Sequence, residues 1–174
     1  MTFALDADPT SATMNSYASL EFATDYFACS FKGTAWPTLA PELQAGALVQ
    51  ATNLLETFTY GGLKTSRTQP LLWPRQGLYD NEGNSIVHLT VPVKVQQATC
   101  ELAFWIYSEG DRVLDDTTLQ QLQNFDAGPV KFQMAKKPMI IPREVSLLLS
   151  SIGEGTLLNM GSDGTSAKTM SMAL

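Results

Sequence analysis

Pro41-Glu42-Leu43-Gln44-Ala45-Gly46-Ala47-Leu48-Val49-Gln50-Ala51-Thr52-Asn53-Leu54-Leu55, continued as far as Phe58, carries the strongest helical period in the chain. Leu43, Ala47, Leu48, Ala51, Leu54, Leu55 and Phe58 recur at spacings of three and four, so they share one face of an amphipathic helix. Pro41 occupies the first helical position, where a missing N–H costs nothing, and Glu42 meets the positive end of the helix dipole. An apolar stripe of this kind is stable only when other elements cover it. The flanking sequence supplies them.

Upstream, Ser16 to Ser19 offers hydroxyls that can cap an opening turn, and a helix is expected from there through Leu20, Ala23, Tyr26 and Phe27, ending at Gly33. Residues 1–15 read as a strand or an extended lead-in. Downstream, Tyr60 to Val91 has no sustained period, yet Leu71, Leu72, Trp73, Leu78 and Tyr79 are too apolar for a solvated linker, so an ordered loop is expected, with a turn at Asp80–Asn84. Pro92 opens a third helix of about 17 residues, at about 100° per residue. Val95, Ala98, Leu102 and Ile106 fall on one side of it, Cys100, Phe104 and Tyr107 nearly opposite, with Lys94, Glu101 and Ser108 as a polar seam. A helix apolar on two sides is buried between layers, within one subunit or against a neighbour.

Beyond it, Val130, Phe132 and Met134 alternate with Lys131 and Gln133 behind the turn residues Asp126-Ala127-Gly128-Pro129, which fits a short hairpin. Pro142 starts a last helix with Val145, Leu148, Leu149 and Ile152, stopped by Gly153. The expected fold is therefore mainly α with a small β element: about four helices in a bundle, a short β-hairpin and an extended C-terminal tail. Residues 1–152 form the helical domain. Residues 153–174 hold ten Gly, Ser or Thr and no aromatic, too little for a core, and read as a tail that spans about 70 Å if fully extended.

The 174 residues suit one domain, and 44% apolar against 16% charged residues gives a sizeable core with little charge to cover it. The formal charge of −6 repels phosphate backbones at long range and argues against a general nucleic-acid coat or an anionic-membrane binder. Cys29 and Cys100 are far apart without a CxxC spacing and read as buried thiols. No run of about 18 apolar residues and no basic-then-apolar leader occurs, so a soluble protein without a membrane partner, intracellular at synthesis, is expected.

His88 is the only histidine, which removes most triads and His-rich metal sites. Asp6 and Asp8, and Asp111, Asp115 and Asp116, lack a Gly-centred ligand loop and read as solvated turns. No phosphate-cradle, nucleophile-elbow or zinc-protease spacing exists. Neither catalysis nor a cofactor is expected. Two stretches stand out instead. In Thr65-Ser66-Arg67-Thr68-Gln69-Pro70-Leu71-Leu72-Trp73-Pro74-Arg75, two arginines bracket a tryptophan between prolines. Arg67, Trp73 and Arg75, with Tyr60 and Tyr79, admit single-strand binding by stacking and phosphate clamping. The alternative, favoured by the acidic total, has Trp73 plugging the core while the arginines cap helix ends or pair with acids. The second stretch, Lys131, Lys136, Lys137 and Arg143, has no acid between Ala127 and Arg143; it reads as a solvated face or as a dock for an acidic partner.

Taken in order, Ser16-Tyr17, the Tyr26-Phe27 helix, Trp36, Ala47–Leu55, Thr68–Arg75, Val91-Pro92 and Gln97–Ala103 resemble a family of tailed-bacteriophage proteins. That family is often labelled DnaT-like single-stranded DNA-binding, and its position in virions is that of head-to-tail connector adaptors. The likeness spans roughly residues 14–152, and its most specific part is Gln69, Leu71, Trp73, Pro74 and Arg75. It implies a helical adaptor in the virion neck, in a ring of about twelve copies between portal and tail or stopper proteins, through which DNA passes without sequence-specific binding. The oligomer or portal interface is then expected at Cys100, Phe104, Tyr107, Lys136, Lys137 and Arg143. The family label carries the other reading, a single-stranded DNA-binding protein of phage replication using Arg67, Trp73 and Arg75.

Overall fold

The computed structural model describes residues 4–80, 82–109, 126–127, 130–131 and 142–152. Four helices dominate it: α1 (Leu20–Ala28), α2 (Pro41–Leu55), α3 (Val93–Glu109) and α4 (Arg143–Ser150). Two minimal antiparallel pairs accompany them. Strands β1 (Leu63–Lys64) and β2 (Arg75–Gln76) pair Leu63 with Gln76 and Lys64 with Arg75. Strands β3 (Asp126–Ala127) and β4 (Val130–Lys131) pair Asp126 with Lys131 and Ala127 with Val130. The mainly helical fold with a small β element read from the sequence is the fold of the protein.

The helix starts follow local chemistry. Ser19 caps α1 by accepting from the Phe22 N–H at 3.1 Å, with Glu21 in the first turn. Pro41 opens α2 at its first position, and the Pro92 carbonyl takes the N–H groups of Val95 and Gln96 as α3 begins. Helix α1 closes at Cys29, earlier than Gly33; two further turns lead to that glycine, where a Cβ would lie 2.6 Å from the Phe27 carbonyl oxygen. A 3₁₀ turn at Trp36–Thr38 then drops the Trp36 indole into the core.

Helix α3 is the central element and packs on α1, α2 and α4. Val95, Ala98, Leu102 and Ile106 are buried, as are Cys100 from the second stripe and Ala103. Leu48, Ala51 and Leu55 of α2 and Val145 and Leu149 of α4 close the same core. Phe27 sits at its aromatic end, its ring centroid 4.8 Å from Trp36 and 5.7 Å from Phe104. The lead-in is tied down rather than strand-forming: the Tyr17 N–H donates to Thr52 Oγ1 at 3.1 Å, and Asp6 gathers Ser11, Thr13 and the Asp8 N–H.

Three expectations need correction. Cys29 is exposed, because it ends α1 on the outer side; Cys100 alone is a core thiol. The polar seam of α3 is broken, because Glu101 is buried and held by Tyr26 Oη at 2.9 Å and by the Lys32 ammonium. Asp126–Ala127 is itself a strand of the second pair rather than a turn ahead of one. Phe132 to Met134, Lys136, Lys137, Gly153 and the 153–174 tail lie outside the described residues.

Leu48 and Leu43 belong to the same predicted stripe, yet Leu48 is fully buried and Leu43 is 59% exposed. Leu48→Ala is expected to cost about 2–5 kcal/mol and Leu43→Ala to stay within about 0.5 kcal/mol. Paired urea denaturation curves measure the contrast; equal costs would contradict this packing.

Candidate functional site

The stretch with the most distinctive chemistry, 60–76, folds into a buckle around Arg75. Strand β2 carries Arg75 back beside the exit of α2, where the chain turns through Tyr60, Gly61 and Gly62. The guanidinium then donates to four backbone carbonyls: Nε to Gly61 at 2.6 Å, Nη2 to Gly62 at 2.8 Å and Tyr60 at 3.2 Å, and Nη1 to Leu72 at 3.2 Å. Arg75 is 8% exposed, and burial pulls its pKa downward. A guanidinium remains charged at any ordinary pH, so the carbonyl dipoles take the place of water around it. Gly62 is required: its φ is +66°, and a Cβ there would lie 2.4 Å from the Gln76 carbonyl oxygen.

The other signature residues brace the same loop. Gln69 Nε2 donates to the carbonyls of Leu71 at 2.9 Å and Pro74 at 3.0 Å, while its Oε1 accepts from the Ser66 N–H at 2.8 Å. Trp73 is fully buried beside Tyr60, ring centroids 5.5 Å apart and edge to face, and the Trp73–Pro74 peptide is cis. Tyr60 Oη donates to the Leu55 carbonyl at 2.9 Å, and burial raises its pKa. Glu56, which the sequence reading passed over, joins three segments: its carboxylate accepts from the Leu72 N–H at 2.9 Å and from Tyr17 Oη. Burial raises the Glu56 pKa, opposed by the Leu72 N–H and by Lys64 and Arg75. The available signal was its position, one residue past the last stripe leucine of α2.

Of the three residues named for nucleic-acid contact, Arg67 alone is exposed. Trp73 has no free face to stack a base, and Arg75 has spent its donors on backbone. Tyr79 is 59% exposed and Tyr60 buried. Trp73 plugs the core, as the favoured alternative had it, and Arg75 bonds backbone carbonyls rather than an acid, so the strand-clamp reading loses its aromatic and its second arginine.

The interface candidates divide similarly. Cys100 is fully enclosed, its thiol pKa raised chiefly by burial, which removes it from any surface. Phe104 is partly buried on Phe27, with the Lys32 ammonium 5.3 Å from its ring centroid, and Tyr107 is 50% exposed in the last turns of α3. Arg143 is exposed at the start of α4. Lys136 and Lys137 lie outside the described residues. Other exposed apolar side chains belong to the stretches that flank the buckle. The Thr65 hydroxyl donates to the His88 carbonyl at 2.5 Å, which brings the Val87–Leu89 stretch alongside β1. Leu63, Val87, Leu89 and Val93 are 55–70% exposed. Among the described residues no cluster of His, Cys, Asp or Glu is disposed to hold a metal ion, and no helix is long and apolar enough to cross a membrane.

Two substitutions test the buckle. Arg75→Lys keeps the charge but cannot reach four carbonyls with one ammonium, and is expected to lower unfolding stability by about 2–3 kcal/mol, read by thermal or urea melts. Burial holds the native Glu56 pKa above the ordinary carboxylate value, so as pH falls the native state takes up a proton before the unfolded chain does. Its effect therefore favours folding more as pH is lowered towards the ordinary carboxylate range and disfavours it as pH rises through the native pKa. The stability difference between wild type and Glu56→Gln should move in favour of wild type as pH is lowered from neutral. A pH-independent difference would refute this.

Comparison with known proteins adds one positive result: a family model described as "Putative DnaT-like ssDNA binding protein" matches residues 1–160. No curated protein and no solved structure matches the chain. With the match covering all four helices and the whole Arg75 buckle, the chain belongs to the DnaT-like ssDNA-binding protein family.

Proposed function

We propose that this chain is a structural assembly protein, the tailed-phage head-to-tail adaptor that its signature segments resemble, working as a ring between portal and tail proteins with DNA passing through it. The observation that carries the reading is the exposure of Leu63, Val87, Leu89 and Val93, with the Val87–Leu89 stretch tied alongside β1 by the Thr65–His88 hydrogen bond. Scattered apolar residues on a surface are ordinary, but a gathered set is a mark of association. Only 16% of the chain is charged, which leaves comparatively little charge to cover apolar surface. Heterologous contacts between identical copies generate rings when the rotation closes. An acidic total also suits a passage along which DNA slides, since a basic lumen would hold phosphates.

A second reading, single-stranded DNA binding, is favoured by the family description. The side chains left to carry it are Arg67 and Tyr79 together with Lys64, because Trp73 and Arg75 are enclosed. The two readings separate in one pair of measurements on the full chain. Mass photometry and light scattering are expected to give concentration-dependent assembly, and a fluorescent oligothymidylate at low salt is expected to bind the monomer weakly. A chain that stays monomeric at high concentration yet binds the oligonucleotide tightly, with affinity falling on Arg67→Ala, would replace the first reading by the second.

A further inference from the structure

A second surface feature lies away from the buckle. Between the N-terminal segment, the start of α1 and the length of α2 runs an open groove with a volume of about 1050 Å³. Its walls are Leu20, Ala45 and Val49, its acids Glu21 and Glu42, and among the described residues no lysine or arginine lines it. Gly46 stands in it, and a Cβ built there meets nothing within 4 Å. A glycine inside a helix weakens it by about 1 kcal/mol relative to alanine, and no packing among the described residues requires this one. The open space over Gly46 is space for another backbone to approach.

We propose that this groove is the docking site for the basic 131–137 segment of a second copy of the chain. The inference rests on the self-assembly reading above and names the surfaces that meet. Charge complementarity selects the occupant. Four of the eleven Lys and Arg residues, Lys131, Lys136, Lys137 and Arg143, fall in a stretch with no acid between Ala127 and Arg143, whereas the groove holds acids only. Length agrees. From Pro41 to Asn53 the groove follows α2 for about 18 Å at 1.5 Å per residue. That accommodates about five or six residues in extended form, so Lys131–Lys136 spans it and Lys137, the seventh residue of the segment, lies at its end. Its alternation offers Phe132 and Met134 for the apolar floor, with the Lys136-Lys137 end for Glu42 and Glu21. Groove and segment are different surfaces of one chain, so the contact is heterologous and propagates from copy to copy.

The test mixes unlabelled and ¹⁵N-labelled full-length chain, cross-links carboxylates to amines with a carbodiimide, and reads the linked peptides by mass spectrometry. Links from Glu42 or Glu21 to Lys131, Lys136 or Lys137 are expected to join light to heavy copies. In parallel, Glu21→Lys with Glu42→Lys, or Lys136→Glu with Lys137→Glu, should raise the half-assembly concentration about tenfold or more, as lost charge pairing does at interfaces. Combining all four reversals should bring it back towards wild type. Melting curves monitor folding. Should reversal in the first helical turns unfold the chain, Glu21→Gln with Glu42→Gln, and Gly46→Leu, which fills the groove from an unobstructed position, must weaken assembly instead. Links confined to single copies, or assembly indifferent to every variant, would overturn the groove assignment and leave self-assembly standing. A chain monomeric at all concentrations would overturn both.

Discussion

The guanidinium of Arg75, closed on the carbonyls of Tyr60, Gly61, Gly62 and Leu72, is the constraint on which the non-helical half of the fold depends. A stretch that leaves α2 and wanders for more than thirty residues before α3 cannot satisfy its backbone through long ladders; β1 and β2 have two residues each. Buried carbonyls without partners cost about 1–3 kcal/mol each. One side chain with five donors in a planar fork answers three successive carbonyls and one across the loop. Lysine, with a single point of attachment, has no equivalent geometry. The arrangement fixes the exit direction of α2, and Trp73 and Pro74 follow into the interior as a consequence.

That interior is joined to the helices by carboxylates rather than by apolar contact alone. Glu56 ends α2 and reaches both Tyr17 and the Leu72 N–H, so lead-in, helix and buckle meet at one side chain. Glu101 does the same between α3, Tyr26 of α1 and Lys32. Buried acids are costly unless fully bonded, and their value is in specifying one arrangement of segments over its alternatives. Around them α3 packs on three helices at once. Its two buried sides leave Tyr107, near its end, as a large apolar residue in solvent.

The helices were legible because their information is local. Ser19, Pro41 and Pro92 mark starts whose chemistry needs no tertiary context, and the period of Leu48, Ala51 and Leu55 survives intact in the core. What sequence could not supply was the fate of side chains whose partners are remote. Arg75 looks the same whether it clamps a phosphate or four carbonyls, and the deciding partners lie three to fifteen residues away across a loop without period. Glu101 was placed on a polar seam by angle alone, but Lys32 and Tyr26, roughly seventy residues distant, pull it under cover. Cys29 erred in the opposite direction. A cysteine's general preference for burial says nothing of which side of a helix terminus faces out.

The family description and an assembly role need not compete once the charge is considered per copy. In the monomer, Arg75 is sequestered, the total charge is −6, and the cations flanking the exposed loop are few, so counter-ion release on meeting a strand is small. Each phosphate neutralised changes the salt exponent by only about 0.7 for single strands. A closed assembly repeats each weak cation once per subunit at fixed spacing, and the later contacts become intramolecular, which raises avidity by orders of magnitude without a new interaction. The same repetition would multiply the acids, which oppose phosphates at long range. Were copies to close into the ring proposed above, Arg67, a weak DNA contact on one subunit, would be repeated around it, and contact with DNA would then depend on the interface between copies.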